Sequence, residues 1–178
     1  MTLHADALDL LTHWQALTLE QEDLRASYVA HLRAHPDGLA RSCYPDHLTA
    51  SALVLSPDRT QVLLTLHRKA QRWFQFGGHT EPGDSTLAGA ALREATEESG
   101  LEGLLVDAEP LHLSRHVVEF CDPRGGVSHL DVRFLARPGA DVAPRVSEES
   151  LDVRWWPVED LPTADADMLE LVELALSR

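Results

Sequence analysis

The chain has 178 residues, a length that suits one domain, and 44% of them are hydrophobic, so it can bury a sizeable core without disulfide or metal staples. Its 15 basic and 29 acidic residues leave a formal net charge of −14, which repels a polyphosphate backbone and argues against long nucleic acid as a partner.

Along the chain, Leu3 to Leu17 places Leu8, Leu11 and Trp14 at helical spacing. Thr18 with Gln21 forms a capping-box signature that opens a second helix through Leu24, Tyr28 and Leu32. His35-Pro36-Asp37-Gly38 stops it, and a helical extension over residues 1–40 is expected to precede a main domain over residues 41–178. Next, His47 to Ser56 and Gln61 to His67 flank the turn-like Ser56-Pro57-Asp58-Arg59 and read as a β-hairpin. Arg72 to Phe76 reads as a short strand entering Gly77-Gly78. A helix over Ser85 to Ser99 follows, with Leu87, Ala90, Ala91 and Ala95 as its buried stripe and Gly100 as its stop. Leu111 to Phe120 and Val127 to Ala136 make a second hairpin around Asp122-Pro123-Arg124-Gly125-Gly126, and Leu151 to Trp156 a last strand. Thr163 caps a closing helix that buries Met168, Leu171, Val172 and Leu174. Without a regular βαβ rhythm, the expected class is α/β with a mixed sheet covered by helices.

Cys43 and Cys121 have neither CxxC nor Cys/His ligand spacing and read as ordinary reduced residues. No apolar run approaches the roughly 18 residues that cross a bilayer, and Met1 to Leu11 carries acids where a signal peptide carries positive charge. A cytoplasmic protein with no membrane partner is the expectation.

The chemistry concentrates in Gly77-Gly78-His79-Thr80-Glu81-Pro82-Gly83-Asp84 and the helix end Arg93-Glu94-Ala95-Thr96-Glu97-Glu98-Ser99-Gly100-Leu101. Glu94, Glu97 and Glu98 stand at i, i+3 and i+4, so their carboxylates leave one side of a helix. Crowded like charges of this kind need a cation, and Mg²⁺ takes one or two carboxylates together with waters and phosphate oxygens. Arg93, at i and i+4 with Glu97, is placed to orient a carboxylate.

Taken jointly, these residues resemble the Nudix box: a glycine, five residues, Glu, seven residues, Arg-Glu, an apolar residue, any residue, Glu-Glu, any residue, Gly and an apolar residue. Two departures stand out. Asp84 occupies the place of the first Glu, and eight residues rather than seven separate it from Arg93. Either the acid is shorter and shifted, or Ser85 takes its geometric place, or Asp84 is a helix cap. The resemblance implies a Nudix-type α/β/α sandwich and a Mg²⁺-dependent hydrolase, with Mn²⁺ able to substitute. Its substrate would be a small molecule of the nucleoside diphosphate-X kind, cut at the diphosphate linkage. It further implies Glu94, Glu97, Glu98 and the Gly78 carbonyl as metal ligands, with Glu94 alternatively the base, and Arg93 as an orienting partner.

Outside the box, Glu148 and Glu149 resemble a late-loop acid of some Nudix enzymes, and Glu149 is the candidate for base or extra ligand. His79, inside the glycine-rich loop, has the best claim among the histidines to touch substrate; His112, His116 and His129 show no metal spacing. Trp73 and Trp155 are candidates for stacking on a nucleobase, and Arg68, beside Leu63-Leu64-Thr65, for substrate binding. Subfamily marks for ADP-ribose, dinucleoside polyphosphate or NADH substrates are missing. Two rivals remain: a nucleotide sensor that binds without cleaving, and an isopentenyl-diphosphate isomerase, which needs a cysteine where Trp73-Phe74-Gln75-Phe76 stands. A homodimer is left open.

Overall fold

The computed structural model describes residues 1–119, 121–139, 143–147 and 150–178. Helices α1 (Leu3–His13) and α2 (Leu19–Ala34) open the chain, capped by Thr2 and Thr18. The first helix stops before Leu17, because Trp14 turns to extended backbone (φ −61°, ψ 136°) and its indole Nε1 donates to the Pro110 carbonyl at 2.9 Å. Only half of the expected capping box forms. Thr18 Oγ1 accepts from the Gln21 amide N–H, but the Gln21 side chain reaches 92 residues ahead in sequence instead.

Among the described residues, eight strands make one mixed sheet. These are β1 (Asp46–Leu55), β2 (Gln61–His67), β3 (Arg72–Phe74), β4 (Phe76–His79), β5 (Leu105–Val106), β6 (His112–Val118), β7 (Val127–Arg137) and β8 (Ser150–Pro157). The central pair β1 and β7 is parallel, from Asp46↔Ser128 to Val54↔Ala136, and every other pair is antiparallel. Arg72 to Phe76, expected as one strand, is split at Gln75. Ahead of that residue the chain pairs with β2, and beyond it with β1, so β4 delivers Gly77 and Gly78 to the middle of the sheet. Gly77 has to be glycine there, since a Cβ would lie 2.2 Å from Ser51 Cβ.

Alternation along β1 and β7 sorts side chains to two faces. Leu48, Ala50, Ala52 and Val54 of β1 and Leu130, Val132, Phe134 and Ala136 of β7 join a core with α1, α2 and the helix α3 (Leu87–Ser99). On the other face Leu53, Leu55 and Leu135 meet Met168, Leu171, Val172 and Ala175 of α4 (Ala166–Ser177). The result is an α/β/α sandwich. Asp165, not Thr163, caps α4: its carboxylate accepts from the Asp167 N–H, while Thr163 Oγ1 braces the Asp165 N–H.

The N-terminal helices pack into the same core as the sheet. Leu11, Tyr28 and Leu32 are at most 1% exposed, and burying a side chain of that size contributes about 1.5–3 kcal/mol. Gln21 both donates to the Leu113 carbonyl (2.9 Å) and accepts from the Leu113 N–H (2.7 Å), and Tyr28 Oη donates to the Ser114 carbonyl (2.7 Å). Two side chains of α2 thus satisfy backbone groups of β6 that an uncovered edge would offer to another chain. Among the described residues, no helix is long and apolar enough to cross a membrane.

Candidate active site

Local sequence explains how the acidic helix is set. Thr86 caps α3 by accepting from the Gly89 N–H, and Gly100 ends it at φ 67°. That leaves Asp84 for another task. It closes a turn by accepting from the Glu81 N–H at 2.7 Å and grips Arg93, accepting from Nε at 3.1 Å and Nη2 at 3.0 Å. Asp84 is therefore no helix cap.

Arg93 is the node of the segment. Besides Asp84, its guanidinium donates to Glu94 (3.0 Å), Glu97 (3.2 Å) and the His79 carbonyl (3.0 Å), and its side chain is only 20% exposed. Hydrogen bonding to Asp84 raises the guanidinium above its usual range, so it stays charged. Partial burial pushes the Asp84 carboxyl up, but the Arg93 hydrogen bonds override this and hold it low. Glu94 lies against Gly78 so closely that a Cβ there would stand 2.9 Å from the carboxyl carbon. The absent side chain at Gly78 is what lets a carboxylate and a strand backbone share one small space.

Beside this segment lies a cleft of about 540 Å³, bordered by Glu98, Gly77, Gly78, Trp73, Asp131 and Arg133 among others. Its floor is the polar part of the sheet face that α4 leaves uncovered: Thr49 and Ser51 of β1, Asp131 and Arg133 of β7. Asp131 is 3% exposed and accepts from Thr49 Oγ1 (3.0 Å), Ser51 Oγ (2.7 Å) and Arg133 Nε (3.1 Å). Burial raises its carboxyl, yet the neighbouring Arg133 charge outweighs that, and the carboxyl stays below its ordinary range.

A family model for the NUDIX domain matches residues 45–175. The chain belongs to the NUDIX family of hydrolases. Its fold is shared by a NUDIX-family hydrolase from Clostridium perfringens at 24% identity and TM-score 0.57, covering 74% of this chain and 94% of that one. The NUDIX domain of Shewanella oneidensis NrtR, solved with ADP ribose, is 23% identical with TM-score 0.59, covering 78% and 92%. A C. elegans Ap4A hydrolase in a binary complex is 22% identical with TM-score 0.57, covering 71% and 93%. A search of curated proteins returned no match.

The Nudix segment accordingly brings Arg93, Glu94, Glu97 and Gly78 together, with Glu98 at the cleft. Trp73 also borders the cleft, its ring edge-on to Trp156 at 5.2 Å. Arg68 does not border it and donates to the Ser150 carbonyl at 3.1 Å. His79 does not either: its ring packs with His47, Cys121 and His129. Glu148 and Glu149 lie outside the described residues. What the sequence did not disclose is the pairing of Asp131 with Arg133 and the gathering of histidines from distant strands.

His112, 2% exposed on β6, faces Arg133 of β7 at 3.5 Å and Glu170 of α4 at 3.8 Å. Burial first and the Arg133 charge second lower it from 6.5 to about 4, against the opposing pull of Asp167 and Asp131. Between those values the unfolded chain holds a proton that the folded chain does not, so stability falls as pH drops from 6.5 towards 4 and is unaffected by this group above 6.5. At roughly 1.4 kcal/mol per unit, the contribution is on the order of 1–3 kcal/mol. Urea unfolding of the wild type and His112→Gln at pH 7, 5.5 and 4.5 checks this. The variant is expected to lose less stability on acidification, and parallel pH curves would exclude His112 as the source.

Proposed function

We propose that this Nudix hydrolase uses Mg²⁺, with Mn²⁺ able to replace it, to hydrolyse the diphosphate linkage of a small nucleoside diphosphate-X substrate. The observation that carries the reading is the Arg93 node. One guanidinium fixes Asp84, Glu94 and Glu97 beside the cleft that Glu98 borders, and Glu94 is pressed onto a glycine backbone. A set of carboxylates joined by a backbone carbonyl is the all-oxygen donor chemistry a hard divalent cation takes, so the residues fit the ion. Glu94, Glu97, Glu98 and the Gly78 carbonyl would hold it. When bound there, magnesium neutralises charge developing on phosphate oxygens and acidifies a water.

The chain's own groups supply the rest. Arg93 keeps Glu94 and Glu97 in place, so that their charge is focused on one side of α3 rather than dispersed among rotamers. Trp73, already at the cleft wall, offers an aromatic face or edge to a base. Glu149, which directly precedes β8 in the sequence, is proposed as the base or a further ligand, and residues 1–40 as an extension that seals the β6 edge. Structures of similar fold support the substrate class, one holding ADP ribose and another being an Ap4A hydrolase.

The test is a panel of dinucleoside polyphosphates, nucleotide sugars, ADP-ribose-type compounds and deoxynucleoside triphosphates, with products identified by mass. Turnover is expected with Mg²⁺, none after chelation by EDTA, and recovery on adding Mg²⁺ or Mn²⁺. Ligand-induced thermal stabilisation without any cleavage across the panel would refute the hydrolase reading in favour of a sensor.

A further inference from the structure

We infer that the chain carries a second metal site, separate from the carboxylates of α3: a closed His₃Cys centre for one borderline-soft divalent ion of the Zn²⁺ type, formed by His47, His79, Cys121 and His129. The four residues come from β1, β4, the β6–β7 turn and β7, and their ligand atoms all lie within 4.8 Å of one another. His47 Nε2 is 3.1 Å from His79 Nε2, and Cys121 Sγ stands 3.4 Å from His79 Nε2, 3.3 Å from His129 Nε2 and 3.8 Å from His47 Nε2. A tetrahedral ion with bonds of about 2.0–2.1 Å to nitrogen and 2.3 Å to sulfur needs ligand-to-ligand edges of about 3.3–3.6 Å. These four edges bracket that range to within a few tenths of an ångström, and the remaining two, from His129 to His47 and His79, lie within 4.8 Å.

The outer partner of His47 is also in place. Its Nδ1 is 3.0 Å from the Cys43 carbonyl, which can only accept, so Nδ1 carries the proton and Nε2 turns its lone pair into the cluster. That is the arrangement by which ligating histidines are oriented. Register explains the convergence. His47 lies opposite His129 in the parallel pair β1–β7, and β4 brings His79 beside Thr49 on the same strand β1. His47 is fully buried and Cys121 is 8% exposed. Three nitrogens and a sulfur suit zinc and its neighbours, not Mg²⁺, which seeks oxygen. With four protein ligands the site is structural. It would tie the β6–β7 turn to β4 one residue from Gly78 and so brace the strand entering the Nudix segment. On binding, the Cys121 S–H bond is exchanged for a sulfur–metal bond and the proton goes to solvent.

The test uses the full chain, stripped of metal and titrated with Co²⁺ in excess Mg²⁺, which occupies hard oxygen sites. One equivalent is expected to give the intense visible bands of tetrahedral cobalt with a thiolate-to-cobalt charge-transfer band, both bleached by one equivalent of Zn²⁺. His129→Ala should keep the charge-transfer band but weaken Zn²⁺ binding by at least about tenfold, since loss of even an outer partner costs about 10–100-fold. Cys121→Ser should abolish the band. Weak octahedral bands without charge transfer in the folded wild type would overturn the inference and leave a hydrogen-bonded histidine cluster. Because the wild-type spectrum decides, a variant that fails to fold does not blur the result, and the outcome is independent of hydrolase activity.

Discussion

Glu98→Gln is expected to lower kcat by about two to three orders of magnitude, equivalent to about 3–4 kcal/mol of barrier at 1.36 kcal/mol per tenfold. Glu97→Gln should act in the same direction. The exchange keeps shape and removes charge, so it isolates what the carboxylate does for a cation. Neither side chain belongs to the core: Glu97 is largely exposed and hydrogen-bonded to Arg93, and Glu98 borders the cleft. Circular dichroism and the melting temperature should therefore stay close to wild type. The two variants differ in one respect. Arg93 shares its hydrogen bonds among Asp84, Glu94, Glu97 and the His79 carbonyl, so losing the Glu97 charge leaves three partners to hold it. Glu98 borders the cleft itself, and its loss should appear mainly as a raised Mg²⁺ requirement. Steady-state rates across a Mg²⁺ titration separate the two effects. Unchanged turnover in both variants would remove the carboxylates from the mechanism.

The parts of this molecule that were readable beforehand are those fixed by local spacing. Glu94, Glu97 and Glu98 share a helical side because helix geometry places i, i+3 and i+4 together whatever the rest of the chain does. Gly100 marks the helix end for an equally local reason, its left-handed backbone. Where two local rules competed, spacing was not enough. Asp84 and Thr86 both suit a helix start, and the tie is broken by Arg93, nine residues from Asp84 in sequence, which captures the carboxylate and leaves the hydroxyl to cap. Gln21 shows the same conflict, since its amide satisfies more backbone by bridging β6 than by closing the capping box. The histidine and cysteine cluster was wholly non-local. His47, His79, Cys121 and His129 have no ligand spacing in the sequence, and only the parallel register of β1 with β7 and the step at Gln75 bring them into reach. The period-2 pattern of His47, Thr49 and Ser51 among apolar residues was the one available sign of a polar sheet face.

The second large effect should come from that face. Arg133→Met is expected to cost about 3–5 kcal/mol of stability, the usual penalty when one partner of a buried ion pair is removed and the other stays charged. Arg133 is 4% exposed, donates to Asp131 at 3.1 Å and reaches Asp167 at 2.6 Å, so its charge is what permits Asp131 to remain ionised in the interior. Thr49 and Ser51 still donate to Asp131 in the variant, and they soften the penalty without cancelling the charge. The sign of the pH dependence follows. Without Arg133, burial becomes the leading influence on Asp131 and raises its folded-state pKa above the unfolded value. The contribution of Asp131 to the variant's stability is then largest below the unfolded pKa of about 3.9 and is lost as pH rises through the raised value, so the deficit relative to wild type should be larger at pH 7 than at pH 5. Adding Asp131→Asn removes the orphaned charge and should recover most of the loss, giving a strong coupling energy in a double-mutant cycle. Guanidinium unfolding of the four chains at pH 7 and pH 5 measures all three quantities. A deficit below about 1 kcal/mol at pH 7, of the size seen for solvent-exposed pairs, would mean that water reaches Asp131 from the cleft and screens its charge.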